Sequence, residues 1–172
     1  MTDKGLFVVD NEPSFDAAPG RRPADAVEFV ASVERGTNEY LTDVIYDIFA
    51  ANARSVVITD GGRDENIGVD AIHDAWATDC VTFKSHRFNV EKCLIAATED
   101  TIVNTWRGGF NGNRDGCGIE VWKFDHEGKV IDQQLYSYLK VRPTTSGLQA
   151  LKLLLTSPRV ALAAGWARFR AR

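Results

Sequence analysis

The second half of the sequence alternates β-type segments with turn-forming residues, and this pattern constrains the fold most strongly. The candidate strands are residues 81–90, 92–98, 101–110, 118–124 and 130–141. The later breaks, at residues 99–100, 111–116 and 125–128, are rich in Gly, Asn, Asp and Glu, and such residues favour tight turns. Because short turns join antiparallel neighbours, the pattern predicts an antiparallel sheet.

Three helical patterns precede this sheet. The first begins at Pro23, a residue suited to the first turn of a helix, and ends at Gly36. The second, over residues 38–49, has the strongest helical periodicity in the chain, in Leu41, Val44, Ile45, Ile48 and Phe49. The third follows Gly68, after a short strand at residues 55–59 and a polar loop. Helices followed by hairpins predict an α+β domain with helices against one face of the sheet.

Composition indicates one folded domain with short additions. Hydrophobic residues make up 44% of the 172 residues, which is enough for a core. The net charge of -4 argues against nucleic acid as the main partner. No apolar stretch has the length of a membrane span, and the N-terminus lacks the pattern of a secretory signal, so we expect a cytoplasmic protein. The three widely spaced cysteines predict free thiols.

The two ends of the chain differ from its middle. We expect a loose leader at residues 1–22, a pocket domain at residues 23–142 and a basic helical extension at residues 143–172. No acidic residue follows Asp132, so the extension carries only positive charge. Its last segment mixes apolar residues with arginines, which suits a helix packed on the domain or on a second copy, or a helix on an anionic membrane. Packing is favoured, because most amphipathic helices are half buried.

Two segments resemble a known group of proteins. The first joins residues 56–60, VVITD, to residues 67–76, IGVDAIHDAW, and the second is residues 118–136, GIEVWKFDHEGKVIDQQLY. With the order of elements over about residues 25–142, they resemble the nuclear transport factor 2-like superfamily. That superfamily includes SnoaL-like polyketide cyclases, ketosteroid isomerase, scytalone dehydratase and limonene-epoxide hydrolase. The resemblance implies a cone-shaped curved sheet closed by three N-terminal helices around a pocket, a homodimer through the outer sheet face, and no cofactor.

Glu120 is the most informative candidate for catalysis. In an alternating strand it shares a face with Trp122 and Phe124, where a carboxylate would be desolvated. The resemblance places Glu120 where ketosteroid isomerase uses a neutral carboxylic acid to donate a hydrogen bond to an oxyanion. The alternative is an outward-facing Glu on a half-exposed strand. The pocket interpretation is favoured, because carboxylates are rarely kept among aromatic residues without a role.

Asp60 and His86 are further catalytic candidates. The resemblance puts Asp60 at the general-base position of ketosteroid isomerase, but an Asp before Gly61 suits a turn equally well. Strand alternation places His86 beside Phe88 and Val90, in a setting similar to that of a catalytic histidine of scytalone dehydratase. A structural histidine at a sheet edge or in the core is slightly favoured over a catalytic one.

Alternation and the resemblance also predict a substrate pocket. Its residues are Trp76, Asn104, Trp106, Trp122, Tyr46, Phe49 and Gln133. Trp76 resembles in position a tyrosine that supports the oxyanion site of the isomerase, although a core role is favoured. Tyr136 and Tyr138 are predicted to face outward, and a register shift of one residue would reverse these assignments. No cluster has the spacing of metal ligands, so we expect no metal site.

These features favour a cofactor-independent enzyme for a small apolar carbonyl or polycyclic compound. It would isomerise, cyclise or dehydrate its substrate, with Glu120 acting on an oxygen and Asp60 moving the proton. A non-catalytic small-molecule binding or interaction domain is the alternative, because one scaffold hosts both. An epoxide hydrolase is a further alternative. It would need an Asp–Arg–Asp set in the pocket, and Arg107, the only arginine near a matching strand, is predicted to face outward.

Overall fold

The computed structural model describes residues 20–141 and Leu155. The elements are α1 (Ala26–Asn38), α2 (Val44–Ile48), β1 (Phe49–Thr59), β2 (Gly62–Ile67), α3 (Val69–Ser85), β3 (Asn89–Ala97), β4 (Thr101–Gly109), β5 (Gly116–Phe124) and β6 (Val130–Tyr138). They form a mixed α+β fold around one six-stranded sheet. Residues 1–19 of the predicted leader, and the predicted extension apart from Leu155, lie outside the described residues.

The sheet is open and has the strand order β2-β1-β6-β5-β4-β3. The three hairpin-forming strands predicted at residues 101–110, 118–124 and 130–141 are present as β4, β5 and β6, within three residues at each end. The prediction of a fully antiparallel sheet is wrong at one pair, because β1 lies parallel to β6. Two parallel strands need a long connection between them. Here that connection consists of β2, α3, β3, β4 and β5, which lie between β1 and β6 in the sequence. The cone shape stays a prediction.

Helix α1 matches the first predicted helix, but it begins at Ala26, so Pro23 lies before the helix and not in its first turn. Its N-cap is Asp25, whose side chain accepts hydrogen bonds from the backbone N–H groups of Val27 and Glu28. The helix buries Phe29 and Val30 against the sheet and runs to Asn38, two residues beyond the predicted end. The last residues of the predicted leader, Arg21 and Arg22, hydrogen-bond through their backbone to the turns that follow β5 and β3.

The helix predicted over residues 38–49 is largely wrong. Asn38 does not cap a helix, because its side chain hydrogen-bonds the backbone N–H and C=O of Val90 at 2.9 Å each. Tyr40 then takes a left-handed conformation (φ 58°), which interrupts a helical path. Only Val44–Ile48 are helical, and Phe49 already begins β1. Pairing of β1 with two neighbouring strands outweighs the local helical spacing.

The polar loop predicted between residues 60 and 68 contains an edge strand. Asp60 and Gly61, both with positive φ (49° and 90°), form the two-residue turn between the paired residues Thr59 and Gly62. Such a turn matches the twist of a hairpin, and Asp-Gly is among its preferred sequences. Strand β2 carries mostly exposed side chains, so it lacks the alternation that marks a half-buried strand.

The strand predicted over residues 81–90 is wrong except for its last two residues, Asn89 and Val90, which begin β3. Helix α3 continues to Ser85, because Phe83 extends the apolar stripe begun by Ile72 and Trp76. Arg87 has a left-handed φ of 50°, which turns the chain from the helix into β3. His86 therefore lies at the C-cap of a helix rather than on a strand.

The helices cover one face of the sheet and leave the other exposed. The core on the covered face centres on Phe29, Phe49, Trp122 and Phe124. On the opposite face Tyr136 and Tyr138 are exposed, as the sequence predicted. A homodimer through that face stays a prediction. Among the described residues, no helix has the length and apolar character to cross a membrane.

Candidate active site

A cavity of about 320 Å³ lies between the covered sheet face and the helices. This volume falls at the lower end of the range typical of small-molecule sites. Its walls are mostly apolar and aromatic, with a small number of polar groups. Such a composition suits a ligand that is largely apolar and is oriented by a few polar contacts.

The first polar group of the cavity is an ion pair between Lys92 of β3 and Glu120 of β5. Lys92 Nζ lies 2.6 Å from Oε1 and 2.7 Å from Oε2 of the carboxylate. Both side chains are almost fully buried, with exposed fractions of 4% and 5%. Removing two charges from water is costly, so the pair depends on close contact and on further hydrogen bonds.

Asn104 and Trp122 supply those further hydrogen bonds. Asn104, directly opposite Glu120 in the β4–β5 register, donates from Nδ2 to Oε2 at 2.6 Å. Its Oδ1 accepts from Trp122 Nε1 at 2.7 Å. Within residues 20–141, every hydrogen bond of the Glu120 carboxylate is therefore with an N–H donor. In these contacts the Glu120 carboxylate is the hydrogen-bond acceptor, whereas the sequence analysis expected a neutral Glu120 that donates to an oxyanion.

Lys92 was missed by the sequence analysis. The predicted break at Glu91 separated it from Val90, so the alternation of the strand was not followed across this position. In β3, Val90, Lys92 and Leu94 are less exposed than their neighbours and share the covered face. A single lysine between Val90 and Leu94, two apolar residues on the same strand face, was the sequence signal that could have identified Lys92.

The second polar group is a pair of carboxylates, Asp79 of α3 and Asp64 of β2, which also line the cavity. Desolvation, and secondly the negative charge of Asp64, raise the pKa of Asp79 above its ordinary value. The sequence analysis missed both residues. Asp64 lies in the segment predicted as a loop, and Asp79 lies just before the strand predicted from residue 81. The spacing of Asp79 from Trp76 and Phe83, which fits one helical face, was the available signal.

Hydroxyl and amide groups from the parallel strands β1 and β6 complete the polar lining. Ser55 Oγ donates to Gln133 Oε1 at 2.7 Å, and the hydroxyls of Thr59 and Ser137 lie 2.7 Å apart. These partners follow the strand register, in which Ser55 faces Gln133 and Thr59 faces Ser137. Within each pair the two polar groups hydrogen-bond each other. They therefore have fewer free donors and acceptors for a ligand than Lys92 or Asp79.

The predicted pocket residues divide into two groups. Those that line the cavity are Trp76, Trp106, Trp122, Phe49 and Gln133. Asn104 lies behind Glu120 and is 1% exposed. Tyr46 is 46% exposed and stacks on His73, outside the lining. The indole N–H of Trp76 donates to the Leu41 carbonyl at 2.8 Å, and the side chain packs against the core; the choice between a core role and support of an oxyanion site stays a prediction.

Asp60 and His86, the other predicted catalytic residues, are exposed and do not line the cavity. Asp60 occupies the hairpin turn, the alternative that its sequence left open. At the end of α3, His86 Nδ1 lies 2.7 Å from Ser85 Oγ and 3.1 Å from the Thr82 carbonyl. The lining residues include no arginine and Arg107 is exposed, so the described cavity lacks the Asp–Arg–Asp set of an epoxide hydrolase.

Within residues 20–141, no three His, Cys, Asp or Glu side chains are grouped so as to hold a metal ion.

The fold resembles several solved structures. A SnoaL-like protein of unknown function from Burkholderia thailandensis is 16% identical, with a TM-score of 0.54 over 65% of this chain and 93% of that chain. A steroid delta-isomerase from Pseudomonas aeruginosa is 17% identical, with a TM-score of 0.51 over 88% and 98%. The epoxide hydrolase/cyclase-like enzyme SalBIII, which has a role in pyran ring formation in salinomycin, is 20% identical, with a TM-score of 0.51 over 65% and 89%.

No protein-family model and no curated protein matches the sequence of this chain. At identities of 20% or less, the structural likeness concerns the fold. It agrees with the two sequence segments that first suggested the superfamily. The chain thus has the fold of the SnoaL-like and nuclear transport factor 2-like proteins.

Proposed function

We propose that this protein is an isomerase- or cyclase-type enzyme that acts on a small, mostly apolar carbonyl compound. The observation that carries the proposal is the buried Lys92 ammonium, held by Glu120 at the wall of an apolar cavity. Fixed charges of this kind, aimed at a ligand from a site shielded from water, are the usual means of stabilising a developing oxyanion.

Lys92 is the group that would contact the ligand oxygen. An ammonium has three N–H donors, and two of those of Lys92 bond Glu120, which leaves one for the ligand. When a proton leaves the carbon next to a carbonyl, negative charge develops on that oxygen. A positive N–H beside it is worth more in an apolar cavity than in water, because the effective dielectric constant is lower.

Glu120 and Asn104 would act as positioning residues. Their contacts with the ammonium and with each other hold Lys92 Nζ in one place, so little reorganisation is needed when the oxyanion forms. The fold likeness to a steroid delta-isomerase and to a cyclase-like enzyme supports the reaction class. Shared fold leaves the substrate open, so the proposal names only its chemical class.

The test uses two β,γ-unsaturated ketones, a ketosteroid and a cyclohexenone. Isomerisation conjugates the double bond with the carbonyl, and ultraviolet absorbance follows the product. We expect the wild-type protein to accelerate the reaction, and Lys92→Met to lower kcat by roughly 10²–10³-fold, the effect of removing one oxyanion donor. Lys84→Met, at an exposed lysine of α3, is the matched control.

Binding is measured in the same samples by quenching of tryptophan fluorescence, since three tryptophans line the cavity. Far-ultraviolet circular dichroism checks that each variant is folded. Lys92→Met leaves Glu120 without its partner, so Lys92→Met/Glu120→Leu provides a second variant without a buried charge. Binding of the probes without turnover by the wild type would overturn the enzyme proposal and assign the cavity to a binding domain.

A further inference from the structure

We propose that Asp79 is the catalytic residue that moves the proton in this cavity. This inference rests on the proposed function and adds its acid–base group. The carboxylate of Asp79 would take a proton from the carbon next to the ligand carbonyl, and the C–H electron pair would form the enolate. The same carboxyl would return the proton at the far carbon of the double bond, so that one C–H bond breaks, another forms, and the double bond moves.

The position of Asp79 on α3 is the first argument. The cavity-lining stripe of this helix is Ile72, Ala75, Trp76, Asp79 and Phe83. These residues are spaced by three or four, so they share one face, and Asp79 is its single charged member. A carboxylate at this position cannot make the apolar contacts that its neighbours make, and it lines the cavity in which a ligand would bind.

The lack of a structural partner is the second argument. Within residues 20–141, Asp79 has no hydrogen bond or ion pair, and the influences on its pKa are desolvation and the charge of Asp64 alone. Asp79 is itself exposed, and it differs from the other acids of α3, Asp70 and Asp74, in lining the cavity. Asp70 accepts a hydrogen bond from the Tyr46 hydroxyl at 3.3 Å, and the Asp74 side chain is 86% exposed.

The remaining carboxylates near the cavity are less suited to proton transfer. Glu120 is occupied as an acceptor for Lys92 and Asn104, and Asp60 is outside the lining. Asp64 also lines the cavity and is exposed like Asp79, but it stands on the edge strand β2 and not on the apolar stripe of a helix. Desolvation, and secondly the charge of Asp64, raise the pKa of Asp79 above its ordinary value, so this carboxyl holds a proton more readily than a free one does.

The test measures proton exchange separately from isomerisation. In deuterium oxide, proton NMR follows loss of the hydrogens next to the carbonyl of cyclohexanone, a saturated ketone that has no double bond to move. We expect the wild-type protein to catalyse this exchange and Asp79→Asn to slow it by about 10²–10⁴-fold, the usual contribution of a positioned acid–base group. Asp79→Glu should restore part of the rate.

Asp74→Asn, a substitution on the exposed face of the same helix, should leave exchange unchanged. Binding of a naphthol, which resembles an enolate, is followed by tryptophan quenching and should persist in Asp79→Asn, because Lys92 holds the oxygen. Exchange without isomerisation would overturn the proposed function while supporting the role of Asp79. Equal exchange in wild type and Asp79→Asn, or no exchange by the wild type, would overturn the role of Asp79.

Discussion

Lys92 and Glu120 form a buried ion pair across an intervening strand, with Nζ 2.6 Å from Oε1. Lys92 belongs to β3 and Glu120 to β5, and the β4 strand between them contributes Asn104. Lys92 therefore reaches diagonally over its own register partner, Trp106, to meet the carboxylate. The contact ties three strands together on the covered face and gives that wall of the cavity its charge.

Breaking this pair should cost more stability than removing it. Lys92→Met or Glu120→Leu alone leaves one buried charge without a partner, so we expect each to lower the free energy of unfolding by about 3–5 kcal/mol. Lys92→Met/Glu120→Leu removes both charges and should recover most of that loss. Urea unfolding of the four proteins gives the double-mutant cycle. A double variant less stable than both single variants would contradict the expectation.

Gly118 of β5 should not tolerate a methyl group. A Cβ there would lie 2.3 Å from Trp106 Nε1 and 2.5 Å from the Tyr136 carbonyl oxygen, so the indole and the β6 backbone would both have to move. We expect Gly118→Ala to lower the free energy of unfolding by about 1–3 kcal/mol, the usual cost of overpacking. At Gly62 the added Cβ would lie 3.4 Å from its nearest neighbour, so Gly62→Ala is the control. Equal urea midpoints for the two variants would contradict this prediction.

Cys80 and Cys93 should differ sharply in reactivity. Burial, and secondly the charge of Asp79, raise the pKa of Cys80 to about 11, so little thiolate forms near neutral pH. Cys93 is exposed. With iodoacetamide we expect rapid labelling of Cys93 and very slow labelling of Cys80, read by peptide mass spectrometry. Unfolding in urea should make Cys80 reactive. Equal rates in the folded protein would show that Cys80 is not protected.

The sequence predicted those parts of the fold whose signals are local. Strands β4, β5 and β6 have tight turns and clear alternation, so their positions and the inward face of Glu120 followed from the sequence alone. The segment around Phe49 was misread because its apolar spacing also fits a helix. Its strand conformation depends on pairing with β6, a neighbour about eighty residues away in sequence.

The candidate site was predicted only in part, because its charged contacts depend on the relative placement of distant elements. Glu120 was identified from the alternation of its own strand, β5. Its partner Lys92 lies on β3, on the other side of β4, and no pattern along β5 indicates that lysine. The same holds for Asp79, which becomes a cavity residue only when α3 lies over β1 and β2. These contacts occupy the Glu120 carboxylate as a hydrogen-bond acceptor, which its own strand could not indicate.

Asp79 should reduce the stability of the folded protein at neutral pH. Its pKa is raised on folding, chiefly by desolvation, so the folded state binds this proton more tightly than the unfolded state does. Stability therefore falls as the pH rises from the ordinary value of 3.8 through the higher pKa of the folded state. Asp79→Asn removes the charge while keeping the shape of the side chain. We expect this variant to be more stable than the wild type near neutral pH.

The stability gain of Asp79→Asn should shrink as the pH falls, because Asp79 in the wild type then becomes protonated as well. Thermal unfolding of both proteins at a series of pH values tests this dependence, and Asp74→Asn, at a side chain that is 86% exposed, should show no comparable gain. A residue that is kept for proton transfer at some cost to folding is expected to behave in this way. If Asp79→Asn were instead less stable than the wild type at neutral pH, Asp79 would be a structural residue with a stabilising partner.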